Sequence, residues 1–105
     1  MLEGYMGKVL LNWTYESDMI ECPDYISNNI MDYVNRFDKW IYDKNNQHGH
    51  WTKDCFNNDA VCFGSEEFID WLNKYVIQPT DKKVIFIKRD FQADDEEKKL
   101  PHIYF

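Results

Sequence analysis

Apolar and polar residues alternate near the start of the chain. Between Lys8 and Glu16 the odd positions are apolar or aromatic and would share one side of an extended segment; they are Val9, Leu11, Trp13 and Tyr15. The other side would carry Leu10, Asn12, Thr14 and Glu16. This two-residue period predicts a half-buried β-strand. Ser17–Glu21, which follow, are predicted to form a turn or loop.

A helical period begins after this loop. Proline at the first helical position and an acid in the first turn make Cys22-Pro23-Asp24 a typical helix start. The predicted helix runs from about residue 23 to 44 and ends at Asn45-Asn46. Its apolar stripe contains Ile26, Ile30, Tyr33, Val34, Phe37 and Ile41.

A second amphipathic helix is predicted over residues 65–77. Ser65 is the expected N-cap, acidic residues fill the first turn, and Gln78-Pro79 ends the segment. The apolar stripe contains Phe68, Ile69, Leu72, Tyr75 and Val76.

The rest of the chain supplies three more candidate strands. Lys83–Phe91 contains the apolar run Val84–Ile87, which predicts a central strand buried on both faces. Ala60–Phe63 and His102–Phe105 are short strands, and the last two strands are expected to pair as a hairpin. These elements predict one α+β (α/β) domain over residues 1–105. It would have a small mixed sheet of three to five strands, with two amphipathic helices packed on it.

Charge is distributed unevenly. The chain has 19 acidic and 12 basic residues, a net charge of −7, yet residues 1–81 carry a net −8 and residues 82–105 a net +1. A negative field disfavours direct nucleic-acid binding and attracts basic partners, although solubility alone explains many acidic proteins. Apolar runs are far shorter than the roughly 20 residues of a membrane span. No secretory signal is recognisable, and three cysteines make a poor disulfide framework. A cytoplasmic location is therefore expected.

Candidate catalytic and metal-binding residues are few. His48, His50, Cys55 and Cys62 have the side chains that zinc prefers, but their spacing matches no common structural-zinc pattern. The simpler interpretation is a polar loop with cysteines acting as small apolar residues. Neither a nucleophile elbow nor a glycine-rich phosphate loop is present. We therefore expect no metal, no cofactor and no enzymatic activity.

Two features indicate binding to another macromolecule. The chain has 18 aromatic residues, and four of them, Trp40, Tyr42, Trp51 and Trp71, lie off the predicted stripes. Exposed tryptophan and tyrosine are typical binding anchors. The second feature is the charged loop at residues 93–99, which is either a solvated loop or an acidic surface for a basic cleft. The predicted partner-binding residues are Asp94, Asp95, Glu96, Glu97, Trp51 and Tyr42.

The segment Phe63–Asn73, with its F-x-x-W-L-N helix, leads into the strand Lys82–Ile87. In this the chain resembles bacterial immunity proteins, which neutralise contact-dependent growth-inhibition or polymorphic toxins. The resemblance covers about a quarter of the chain. It implies a non-enzymatic inhibitor that covers the active site or substrate-binding surface of a basic toxin domain, often a nuclease. The alternatives are a phage-type acidic anti-defence protein that mimics nucleic acid, and a small zinc- or thiol-dependent enzyme.

Overall fold

A computed structural model describes residues 6–43, 45–46 and 48–105. Its main sheet has four strands: β1 (Met6–Asn12), β2 (Ser17–Pro23), β5 (Ile85–Phe91) and β6 (His102–Tyr104). Their order is β5-β2-β1-β6. The β1–β2 and β2–β5 pairs are antiparallel and the β1–β6 pair is parallel. The prediction of a mixed sheet of three to five strands in an α+β fold is confirmed.

The two central strands are β1 and β2. Val9, Leu10 and Leu11 are each at most 1% exposed, so β1 is covered on both faces rather than half-buried. It ends at Asn12, and Tyr15, which was expected to share its apolar side, is 86% exposed. The predicted strand is confirmed over Lys8–Asn12, and Val9 and Leu11 share the core side as expected. It is wrong in its C-terminal bound and in assigning Leu10 to an exposed side.

The predicted turn at Ser17–Glu21 is wrong as well, because these residues belong to β2. The first two residues of β2, Ser17 and Asp18, are buried, and the side chains of both form hydrogen bonds. The Ser17 hydroxyl donates to Oδ1 of Asn12 at 2.6 Å, and Oδ1 of Asp18 accepts from the Asp90 amide at 2.9 Å. Asp18 and Asp90 are 72 positions apart, so this pairing leaves no local sequence signal for the strand.

The first predicted helix is two helices, α1 (Asp24–Ser27) and α2 (Ile30–Ile41). The break falls at Asn28-Asn29, where the Asn29 side-chain amide donates to the carbonyl oxygen of Tyr25 at 2.9 Å. Pro23 belongs to β2 and acts as the N-cap of α1, so the helical start is confirmed only approximately. The predicted stripe is buried as expected, except that Tyr33 is half-buried.

The second predicted helix changes geometry along its length. It is an α-helix over α3 (Ser65–Trp71) and a π-helix over Leu72–Val76, with the Ile77 amide bonded to the Leu72 carbonyl oxygen at 2.8 Å. Gly64, not Ser65, is the N-cap, and its amide donates to the Glu67 carboxylate. Trp71, predicted to lie off the stripe, is 7% exposed and part of the core.

Phe37 lies at the centre of the core. Its ring contacts the rings of Phe63, Phe68 and Trp71 in edge-to-face arrangements, with centroids 5.3–5.7 Å apart. Trp13 reaches the same cluster by stacking on Phe105 at 4.4 Å. Much of the aromatic content is thus explained by packing between the helices and one face of the sheet.

Strands β5 and β6 form in the predicted segments, but their predicted places in the sheet are wrong. Strand β5 lies at an edge of the sheet, and only Val84, just before it, is buried, while Ile85 is 49% and Ile87 39% exposed. Strand β6 occupies the opposite edge beside β1, so the predicted hairpin with β5 does not form.

The connection over residues 92–101 therefore crosses the sheet from one edge to the other. Val9 and Leu11 face the helices, so Leu10 points to the opposite face. Lys98 lies beside Leu10 in a groove on that face. The connection therefore lies on the side of the sheet opposite α2.

A separate hairpin consists of β3 (Trp51–Lys53) and β4 (Asp59–Val61). The predicted strand at Ala60–Phe63 corresponds to β4, whereas β3 was not predicted. Asp54 shapes the turn between them, because its Oδ1 accepts from the amides of Phe56 and Asn58.

Candidate functional site

The predicted acidic loop is a compact turn. The Asp94 amide donates to the Glu97 carboxylate and the Glu97 amide donates to the Asp94 carboxylate, at 3.0 and 2.8 Å. Glu97 also pairs with Lys88, and this ammonium group together with the Asp94 amide lowers the pKa of Glu97. A short 3₁₀-helix follows at Glu97–Lys99.

The loop's remaining acids point outward. Asp95 and Glu96 are exposed, and Glu96 contacts Lys99 at 3.0 Å in an exposed ion pair. Two of the four predicted acids are therefore available to a partner without dismantling the turn.

The two aromatic residues predicted to act with this loop lie elsewhere. Tyr42, just after α2, is 56% exposed and contacts Phe63 edge-on at 6.1 Å. Trp51, in β3, is half-buried and stacks on His48 at 6.0 Å. Both belong to the helical side of the molecule, so the structure does not bring them to the acidic turn.

The histidine and cysteine cluster is also dispersed. Nε2 of His48 donates to the Ile41 carbonyl oxygen at 2.8 Å, and its Nδ1 accepts from the His50 amide at 3.0 Å. Both ring nitrogens are therefore engaged with the backbone. Cys55 and Cys62 are exposed on the β3–β4 hairpin and just after it. Across the described ranges, no group of three or more histidine, cysteine or acidic side chains is arranged to hold a metal ion.

The remaining cysteine, Cys22, is fully buried in the core. Burial, followed by the nearby charges of Asp24 and Glu21, raises the pKa of its thiol to about 12. The thiol is therefore protonated and inaccessible, the opposite of what a nucleophile requires.

A groove of about 300 Å³ opens on the helix-free face of the sheet, where the β1–β2 turn meets the connection over residues 92–101. We call it the sheet-face groove; its lining includes Leu10, Tyr15, Glu16, Gln92, Lys98 and Tyr104. Tyr15 and Tyr104 are 86% and 77% exposed, and Gln92 fixes the β1–β2 turn by donating to the Tyr15 carbonyl oxygen at 2.6 Å. The two exposed tyrosines therefore lie on ordered backbone, Tyr15 in the turn held by Gln92 and Tyr104 in β6.

At one end of the sheet-face groove, the lining residue Glu16 lies close to two carboxylates outside the lining, those of Asp90 and Asp18. The negative charge of Asp90 raises the pKa of Glu16, with further contributions from desolvation, a hydrogen bond to Asp90 and the charge of Asp18. Asp90 has a left-handed backbone, φ +53°, and its amide is held by Asp18. The fold therefore keeps three carboxylates close together, and Arg89 already interacts with Asp18 and Asp90. A further cation from outside would favour the ionised form of Glu16.

Sequence reasoning missed Tyr15, Tyr104, Glu16 and Asp90 as site residues. Tyr15 was assigned to the buried side of a strand, and Glu16 and Asp90 are 74 positions apart in the sequence. The only local signal near this face was the charged loop at residues 93–99, of which Ala93 and Lys98 line the groove.

Comparison of the chain with protein-family models, with curated proteins and with solved structures found no match. Within the part of the chain that the structure describes, no helix has the length and apolar character needed to cross a membrane.

Proposed function

We propose that this protein is a non-enzymatic, cytoplasmic immunity protein that binds a basic toxin domain encoded beside it, a nuclease, and blocks its activity. The observation that carries the proposal is the sheet-face groove, where exposed tyrosines stand next to crowded carboxylates. Tyrosine is enriched among the anchors of protein interfaces, and carboxylates favour a basic partner.

The binding surface we infer combines the sheet-face groove with the outer side of the acidic turn. Tyr15 and Tyr104 would act as aromatic anchors, and Glu16 and Asp90 would receive a lysine or arginine of the toxin. Asp95 and Glu96 would lie at the rim, where charges mainly affect the association rate. This surface retains the predicted acidic loop and replaces Trp51 and Tyr42 with two tyrosines.

The net charge supports the same partner. An overall charge of −7 steers a basic domain toward the protein, and such steering raises association rates toward about 10⁸ M⁻¹s⁻¹ at low salt. A nuclease carries a basic surface that binds the phosphate backbone of its substrate. An acidic inhibitor would compete with the substrate for that surface.

Co-expression tests the function. The neighbouring reading frame is induced in a bacterial host with and without this chain, and growth and complex formation by pull-down are measured. We expect growth arrest from the neighbour alone and full rescue with a one-to-one complex. A neighbour that is harmless, or a toxic neighbour that this chain neither binds nor neutralises, would remove the basis of the proposal.

Charge variants then test the surface. Asp95→Asn with Glu96→Gln leaves the Asp94–Glu97 turn intact, and we expect a slower association rate with a weaker dependence on salt. Tyr42→Ala, on the helical side, is the matched control and should leave both rates unchanged. An unchanged association rate in the double variant would exclude the acidic turn from the interface.

A further inference from the structure

A second opening lies on the helical side, between the end of α2 and the π-helix. We call it the helix-side cleft; its volume is about 350 Å³, and its lining includes Trp40, His48, Glu67, Asp70, Lys74 and Tyr75. The sheet-face groove is lined by other residues throughout, so the two openings are separate.

Three ring systems form the walls of this cleft. The Trp40 ring lies 5.0 Å from His48 and 5.7 Å from Tyr75, and the ring planes are tilted by 46° and 53°. The hydrogen bonds of His48 define its neutral Nε2–H tautomer, since Nδ1 accepts from the His50 amide. All three rings therefore offer faces with negative electrostatic potential rather than a positive charge.

Core packing accounts for Trp40, whose ring lies 6.2 Å from Phe37, but it does not account for the position of Tyr75. Phe37 and Trp71 already close the core beneath the cleft, at 0% and 7% exposure, whereas Tyr75 remains 54% exposed. Tyr75 and Lys74 lie in the π-helix, a rare geometry often found at functional sites. The widened turn places both side chains at the cleft.

The polar residues define the ligand. Glu67 and Asp70 supply two carboxylates; one Glu67 oxygen is engaged by the Gly64 amide, while Asp70 is exposed. The Lys74 ammonium already lies 5.2 Å from the centre of the Tyr75 ring. The cleft thus combines aromatic faces with carboxylates and contains a cation of its own, which is the composition of a cation–π site.

We propose that the helix-side cleft binds the guanidinium side chain of an arginine from another protein. A guanidinium group is planar, stacks on aromatic rings and pairs with carboxylates through two parallel hydrogen bonds. Asp70 would pair with the guanidinium group while Trp40 and Tyr75 contact its faces. Lys74 competes for the Tyr75 face, so it weakens binding. This proposal does not depend on the proposed function, because it concerns another surface and any arginine-bearing partner.

The test uses Nα-acetylarginine amide as the probe and the neutral isostere Nα-acetylcitrulline amide as the control. Tryptophan indole signals are followed by NMR at constant ionic strength, and the Trp40 signal is assigned with a Trp40→Phe variant. We expect saturable shifts at Trp40 with a dissociation constant on the order of 1–10 mM for a single side chain. Citrulline amide should cause no saturable shift. No saturation with arginine, an equal response to citrulline, or tighter binding of lysine amide would overturn the proposal.

Substitutions in the cleft are expected to change the affinity for arginine in opposite directions. Tyr75→Leu and Asp70→Asn should each weaken binding by about threefold or more, whereas Lys74→Gln should strengthen it by about threefold. Lys8→Gln, which makes the same charge change on β1, is the matched control and should have no effect. If Tyr75→Leu disturbs the fold, the Lys74→Gln result still decides, because weaker or unchanged binding in that variant contradicts the competition.

Discussion

Asn73 joins the helical layer to the chain entering β5, and replacing it tests the packing of the F-x-x-W-L-N segment. Its side-chain amide donates to the Val84 carbonyl oxygen at 3.1 Å, and its Oδ1 accepts from the Val84 amide at 2.8 Å. Val84 is 2% exposed, so water cannot readily replace these bonds. The side chain thus serves as the hydrogen-bonding partner that a neighbouring strand would otherwise provide.

The magnitude follows from these two bonds. Each contributes about 0.5–1.5 kcal/mol net, and a buried backbone group left unsatisfied costs about 1–3 kcal/mol. Because Asn73 is half-buried, we allow partial hydration and expect Asn73→Ala to lose about 2–4 kcal/mol of unfolding free energy. For a chain of this size that loss corresponds to a decrease in Tm of about 10–25 °C.

Asn73→Asp gives a test with a pH signature. A protonated carboxyl can reproduce both bonds, whereas an ionised one loses the donor and sets a negative charge against the Val84 carbonyl oxygen. The folded state therefore raises the pKa of the introduced carboxyl. The loss of unfolding free energy caused by the ionised carboxyl is absent below its pKa in the unfolded chain, about 3.9. The loss increases as the pH rises from there through the pKa of the carboxyl in the folded state. The variant should be closest to the native protein in stability near pH 4 and furthest from it near pH 7.

Urea unfolding followed by circular dichroism measures these differences, with Asn35→Asp on the exposed side of α2 as the matched control. The control should change stability by less than about 0.5 kcal/mol, as surface substitutions usually do. A loss below about 0.5 kcal/mol for Asn73→Ala, or an Asn73→Asp variant with no pH-dependent difference from the native protein, would refute this account of the contact.

Three further predictions concern titratable groups. Cys55 and Cys62 should react rapidly with a thiol reagent such as DTNB in native buffer, and Cys22 only after unfolding; three fast thiols would contradict its burial. Glu16→Gln should raise the urea midpoint at neutral pH and lose this advantage as pH falls, because the raised pKa of Glu16 reflects a repulsion present only when it is ionised. Glu97→Gln should lower the midpoint at neutral pH and have less effect in acid, because the lowered pKa of Glu97 reflects pairing that protonation removes. A change of the urea midpoint in the same direction for both glutamate variants at neutral pH would contradict the causes given for the two pKa shifts.

The helices could be predicted from the sequence because their signal is local. The apolar spacing of Ile30, Val34, Phe37 and Ile41 is a property of one helix face, and these residues are buried as expected. The break at Asn28-Asn29 and the π-helix after Trp71 were not predictable in this way. A break and a widened turn leave the apolar spacing nearly unchanged, and they depend on contacts outside the helix.

Strand positions were harder, because burial of a strand depends on what crosses it. Leu10 was assigned to a polar side, yet it is only 1% exposed and lines the same groove as the connection over residues 92–101. The Val84–Ile87 run suggested a central strand, yet nothing in the described chain pairs with the outer edge of β5, and Ile85 and Ile87 remain exposed. The sheet-face groove could not be predicted for the same reason, since the order of the strands brings its residues together.

The central claim, that a basic toxin domain docks on the sheet-face groove, is tested most directly by the dissociation constant of the complex with and without the two anchors. Tyr15→Ala combined with Tyr104→Ala should raise the dissociation constant by about 30-fold or more, since loss of an anchor costs about 2 kcal/mol or more. Phe56→Ala removes an equally exposed ring (81%) from the β3–β4 turn and should change the constant by less than about threefold. Equal dissociation constants for the double tyrosine variant and the native protein would contradict the claim.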